Sequence, residues 1–397
     1  MGKTGIDVAR ARLDTAGCEG VLHFNNAGAA LMPRQVVEAT VGHLRLEEEI
    51  GGYEAAERSN EAIEHAYDAA SRLIGSRRDE IAVVENATRA WDMAFYAVPF
   101  RPGDRILTSA AEYASNYIAY LQVARRTGAV IEVIPDDDYG QVSVEALRGL
   151  MDERVRLVSI THVPTNGGLV NPAAEIGGIA RGAGTLYLLD ACQSVGQMPI
   201  DVEEIGCDML SATGRKYLRG PRGTGLLYVR QGVLERLEPP FLDVHAARWT
   251  ARDRYEIRAD ARRFESWETN CAGKIGLGVA IDYALAWGIE NIRTRVWALA
   301  DALRSRLSDI PSVQVRDLGR QKCGIVTFTI DGHAPEHIRR VLRERRMNVT
   351  VSTVASTRLD MERRGLESVV RASVHYYNSE EEVGRFCEAV ASIASSK

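Results

Sequence analysis

The chain has 397 residues, 45% of them hydrophobic, and a formal net charge of −5. That length accommodates two domains with filled cores, and charge of both signs spread along it argues against a nucleic-acid stripe or a membrane-surface patch. No run approaches the ~18 apolar residues of a membrane span and residues 1–7 lack the apolar core of a signal peptide, so a cytoplasmic protein is expected. Six cysteines, at 18, 192, 207, 271, 323 and 387, lie far apart without a Cys-x-x-Cys pair, which points to neither a zinc cluster nor a disulfide framework.

In chain order, an apolar entry at Leu22 meets the small-residue turn Asn25-Asn-Ala-Gly-Ala-Ala30, where Gly28 permits close backbone approach. Pro33 opens a helix that Gly51-Gly52 ends, and a second helix is predicted from Tyr53 to Ile74 with Gly75 as its cap. Short apolar runs follow at 81–84, 105–107, 130–134, 157–160 and 186–189, alternating with segments of helical period. This is the pattern of an α/β domain with a largely parallel sheet, whose ligands sit beyond the carboxyl ends of the strands.

The residues beyond those ends carry the chemistry. Ala87 and Thr88 open a helix whose free N–H groups suit a phosphate, although Asn86 or Thr88 could equally cap that helix. Tyr113 offers an aromatic face for stacking on a flat ring, and a lone aromatic also fits a core. Asn166 supplies a donor in the turn 161–168. Asp190 directly follows an apolar run, where an acid needs a positive partner such as a protonated pyridine nitrogen or a structural cation. No neighbouring cluster of His or carboxylates suggests a metal.

Lys216 stands out by scarcity. Of 49 basic residues only five are lysines (3, 216, 274, 322 and 397). Arginine supplies charge but never a free amine, so an amine nucleophile requires lysine. Lys216 follows the short apolar run Met209-Leu210 and the small, hydroxyl-bearing turn 211–214, and precedes the glycine turn 220–225, which leads into a second strand at 226–229. A surface lysine between two strands would show the same local pattern. Beyond Arg230 the periodicity loosens, and from about residue 291 helices alternate with strands at 325–330, 347–351 and 369–374, as in a smaller α+β domain.

An amine, an acid after a buried strand, an aromatic plate and a phosphate-suited helix start together make a site for pyridoxal phosphate, whose ring becomes an electron sink when its nitrogen is protonated. With these motifs in this order, the sequence resembles the class V aminotransferases of the fold type I pyridoxal-phosphate enzymes from about Phe24 to Phe386. The group includes cysteine desulfurases, selenocysteine lyases and isopenicillin N epimerase-like proteins. The resemblance implies a large α/β domain over 24–285 with a mostly parallel seven-stranded sheet, and a small α+β domain from 1–23 and 286–397. It implies that Lys216 bonds the cofactor and acts as base, that Asp190 pairs with the ring nitrogen, and that Gln193 and Asn166 hydrogen-bond the ring hydroxyl. Tyr113 stacks on the ring, while Ala87, Thr88 and Thr213 hold the phosphate. It further implies that Arg371 grips the carboxylate of an amino-acid substrate with help from Asn26. Thr269 would be lent to the phosphate by the second subunit of a homodimer.

Three departures bear on the reaction. Tyr113 stands where desulfurases stack a histidine, and Arg215 where another histidine precedes the lysine. The segment 354–369 contains no cysteine where desulfurases carry a catalytic one. The expected activity is therefore a β-eliminating C–S lyase, with transamination and epimerisation as the alternatives.

Overall fold

The alternation read from the sequence folds into a seven-stranded sheet in a computed structural model that describes residues 5–396. Across the sheet the strands run Ile81–Val84, Gly225–Val229, Met209–Thr213, Leu186–Asp190, Val155–Thr161, Arg105–Thr108 and Val130–Val133. Gly225–Val229 alone runs opposite to the other six, pairing antiparallel with Ile81–Val84 and Met209–Thr213. Continuous hydrophobic runs are what such a position demands, since helices cover both faces. The four strands from Leu186–Asp190 to Ile81–Val84 are buried at every residue. Asp190 is the last residue of its strand, paired with Ser211 on one side and Thr161 on the other.

The glycine at the start of the antiparallel strand is a packing requirement. A Cβ on Gly225 would lie 2.4 Å from the carbonyl carbon of Asn86, at the start of the helix Ala87–Phe95. The absence of a side chain at 225 brings that helix N-terminus against the strand following Lys216.

The helix predicted over 53–74 is two helices, Gly52–Arg58 and Asn60–Ile74, divided at Ser59. Ser59 leaves helical geometry (φ −99°, ψ 10°), and its hydroxyl lies 3.2 Å from Nδ1 of the buried His43 on the preceding helix. A serine side chain that finds a tertiary partner competes with helix continuation.

Beyond the long helices Cys271–Trp287 and Ile289–Ser308, an antiparallel sheet forms in the order Val313–Val315, Ile325–Ile330, Ser368–Ser373, Thr350–Thr353. Leu22–His23 pairs with Met347–Asn348, and Asn25 bridges to Ser373, so the N-terminal turn joins this part of the fold. Arg219, three residues past Lys216, locks the join. Its fully buried guanidinium donates to Leu31 O (2.8 Å), the Tyr376 hydroxyl (2.7 Å) and Thr15, and lies 4.5 Å from the Tyr377 ring centroid. Among the described residues no helix is long and apolar enough to cross a membrane.

Candidate active site

At the carboxyl ends of the parallel strands lies a cavity of about 570 Å³. Seven of the residues picked from sequence line it: Ala87, Thr88, Tyr113, Asp190, Gln193, Thr213 and Lys216. They come from four separate stretches of the chain, at 87–88, 113, 190–193 and 213–216, so their convergence is a product of the fold.

One end of the cavity is built for an anion. Asn86 caps the helix Ala87–Phe95 by accepting from Arg89 N at 2.8 Å. The N–H groups of Ala87 and Thr88 find no protein acceptor among the described residues and open onto the cavity. The cap and the anion site are thus compatible, with the cap falling to Asn86. Thr213 closes this end, its hydroxyl 3.5 Å from Thr224 O.

Asp190 lies deeper. Its Oδ1 accepts from Cys192 N at 2.9 Å and its Oδ2 from the Asn116 amide at 3.0 Å. No Lys, Arg or His forms an ion pair with it among the described residues, and no cluster there could hold a metal. A 6%-exposed carboxylate with no protein cation is suited to a cationic ligand atom. Gln193 donates to Ala27 O at 3.2 Å, and its buried Oε1 has no partner among the described residues. Tyr113, 39% exposed, presents its ring to the cavity from the start of the helix Ala114–Thr127.

Burial lowers the Lys216 ammonium from the ordinary 10.5 to about 8, with Arg215 and Arg371 acting in the same direction and Cys192 and Asp190 opposing. The free-base fraction near neutral pH is therefore far larger than that of an ordinary lysine. Arg371 lies close by, donating to Thr165, which lines the cavity. Its buried Nε has no partner among the described residues, and burial pulls the guanidinium down to about 10. A buried guanidinium with no carboxylate among the described residues is matched to an incoming anion.

Two expected ligands are engaged elsewhere. Asn166 does not line the cavity, and its amide donates to Thr357 Oγ1 at 3.0 Å and to the Met361 sulfur at 3.2 Å. Its donor is spent on holding the segment 354–369 rather than on a ring hydroxyl. The Asn26 amide donates to His23 O (3.1 Å) and Ser373 O (2.7 Å) while its oxygen accepts from the Tyr377 hydroxyl, which leaves no group for a substrate carboxylate. Thr269 is partly exposed and outside the cavity of its own chain.

The sequence reading missed Asn116, Thr165, Arg215 and Arg222 as cavity residues. Asn116 carried a usable signal, since it lies four residues after Glu112, the spacing at which side chains around a helix start meet. The cysteine-free segment folds as a turn at Val354–Ser356 and a helix at Arg358–Arg363, tied down by Arg364 to Asp360 at 2.9 Å and by Arg363 to Asp136. Cys192 lines the cavity, but burial and then Asp190 push its thiol well above the ordinary value. Burial likewise raises Cys18 and Cys387 to about 11 and Cys323 to about 12, and raises Cys207 and Cys271.

A family model described as aminotransferase class-V matches residues 22–386. The chain is 32% identical over 349 residues to a probable cysteine desulfurase of Methanothermobacter thermautotrophicus, covering 87% of this chain and 86% of that protein. Among solved structures it is similar to the apo cysteine desulfurase of Thermococcus onnurineus NA1, with TM-score 0.90, 26% identity and 99% of each chain covered. The same fold is seen in the cystine C–S lyase C-DES, solved with its product cysteine persulfide, at TM-score 0.86 and 23% identity over 95% of this chain and 99% of that one.

Proposed function

The chain belongs to the class V aminotransferase family and is a pyridoxal-phosphate enzyme, and from that premise we propose that it cleaves an amino acid at Cβ by elimination, a C–S bond being the best match, without a cysteine of its own. The observation that carries this reading is the state of the thiols. The segment 354–369 has none, and each of the six elsewhere is held toward its protonated form. A protonated thiol is a poor nucleophile toward substrate sulfur.

Bound here, pyridoxal phosphate supplies an electron sink for bonds to Cα. Ala87, Thr88 and Thr213 would hold its phosphate, Tyr113 the face of its ring, Gln193 the ring hydroxyl, and Asp190 a proton on the ring nitrogen. Lys216 would bond the cofactor, and its amine is the group placed to hold the Cα proton of a bound substrate. Arg371 orients the substrate by its carboxylate. The net reaction converts an S-substituted cysteine and water into a thiol, pyruvate and ammonium. Transamination and epimerisation use the same first proton transfer and differ in where the proton returns. A panel of S-substituted cysteines and other amino acids, assayed separately for pyruvate with ammonium, for other keto acids and for the inverted enantiomer, tests the reading. Keto acid made without ammonium release, or inversion alone, rejects elimination.

The amine at Lys216 gives a pH prediction. Cofactor capture by the apoprotein requires the free base, so its rate is expected to rise about tenfold per pH below about 8 and to level off above it. Stopped-flow absorbance measures this. A rate still rising at pH 10 means that the amine is not enclosed as described.

The working unit is a homodimer in which Thr269 of a second copy reaches the phosphate. Supporting this, the helix Arg34–Ile50 leaves Val37, Val41 and Leu44 exposed, and Tyr53 and Trp267 pair in solvent with ring centroids 6.1 Å apart. Exposed apolar side chains of this kind favour association. Sedimentation is expected to give a dimer, and a fully active monomer would contradict it.

A further inference from the structure

One buried acid has no part in the reaction described. Glu112, 3% exposed, lies between the strand Arg105–Thr108 and the helix Ala114–Thr127, and makes no ion pair among the described residues. Its carboxylate accepts from the N–H groups of Tyr113 (3.1 Å) and Thr161 (3.0 Å) and from the hydroxyls of Thr108 (3.2 Å) and Thr161. It also accepts from Asn116 Nδ2 at 2.8 Å. The same nitrogen donates to Asp190 Oδ2 at 3.0 Å, so a single amide, with one hydrogen for each, ties two buried acids together.

The titratable groups around Glu112 are Asp190 and Tyr187 on the strand Leu186–Asp190, and Tyr120 on the helix Ala114–Thr127, whose hydroxyl donates to Ser159 at 2.7 Å. Both phenols are held neutral by burial. Lys216 acts on Asp190 from the cavity side. Burial, with Asp190 adding to it, raises the Glu112 carboxyl to about 7 against the hydrogen bonds it accepts. Two linked acids with no ion-pair partner among the described residues are expensive to keep ionised together, and one positive charge beside Asp190 offsets both. Such coupling is reciprocal, so an ionised Glu112 strengthens the hold on that positive charge.

We propose that Glu112 is a positioning residue for Asp190: through the shared Asn116 amide it fixes the direction of Oδ2, and with its own charge it helps keep the cofactor ring nitrogen protonated. This rests on the assignment of Asp190 to the ring nitrogen. A clamp on the Tyr113 and Thr161 amides is the competing role, and a spectroscopic titration separates the two.

The holoenzyme is loaded with pyridoxal phosphate labelled with nitrogen-15 in the ring, and the resonance is followed against pH in the wild type, Glu112→Gln, Asn116→Ala and Asp190→Asn. In Glu112→Gln and Asn116→Ala the ring nitrogen is expected to lose its proton about one pH lower than in the wild type, a tenfold loss of proton affinity. A ring nitrogen that stays protonated in both variants wherever it does in the wild type overturns the proposal, and a lowered unfolding midpoint alone would then assign Glu112 to the clamp. If Glu112→Gln does not fold, Asn116→Ala decides by the same criterion. An unchanged titration in Asp190→Asn rejects the Asp190 assignment itself, and the proposal with it.

Discussion

Lys216→Ala is expected to lower kcat/KM by at least about 10⁴-fold and to leave any bound cofactor removable by dialysis. The argument is geometric and electrostatic. Lys216 follows a strand buried at every residue, and its amine is brought to about 8 by burial in the cavity that also holds Asp190 and Tyr113. Among the other lysines, Lys274 is buried 2.8 Å from the Tyr67 hydroxyl and 3.5 Å from Glu265, outside the cavity, and Lys322 does not line it. Borohydride reduction of the wild-type holoenzyme followed by peptide mapping should place the cofactor on Lys216 alone. An adduct on Lys274 or Lys322 would contradict the assignment.

Arg371→Gln is expected to cost about 10³-fold in kcat/KM for amino acids, the scale of losing a buried charge-assisted pair, roughly 4 kcal/mol. The side chain sits in the strand Ser368–Ser373 with Thr327 and Thr350 opposite, so its position is set by the small sheet. Its Nε has no partner among the described residues, and its Nη1 donates to Thr165, which lines the cavity. The control is a substrate analogue without the carboxylate. Wild type and variant should process it at similar rates if Arg371 acts on that group, whereas an equal loss for both substrates would mean that the substitution disturbs the site through Thr165.

What could be read in the sequence follows the range of the interactions involved. Ala87, Thr88, Asp190 and Lys216 each sit just beyond or at the end of an apolar run, and the rule that ligands gather at strand carboxyl ends brings them to one cavity. Asn26 and Asn166 could not be placed that way. Their amides are taken by Ser373 and Thr357, 347 and 191 residues distant, through side-chain geometry that no local pattern encodes. Glu112 could not be singled out in this way, because Asn116, which ties it to Asp190, meets that acid across 74 residues of chain. The break at Ser59 depends on His43, a contact between two helices that period alone does not reveal.

The most direct test of elimination without a thiol is turnover by a variant in which Cys18, Cys192, Cys207, Cys271, Cys323 and Cys387 are all replaced by serine or alanine, chosen so that the protein folds and binds cofactor. With an S-substituted cysteine as substrate and pyruvate as the readout, the variant is expected to retain turnover within a few-fold of wild type, since proton transfer through Lys216 needs no thiolate. Turnover abolished by a single Cys→Ser change at Cys192, with the cofactor absorption unaltered, would contradict this account and assign the enzyme to persulfide chemistry.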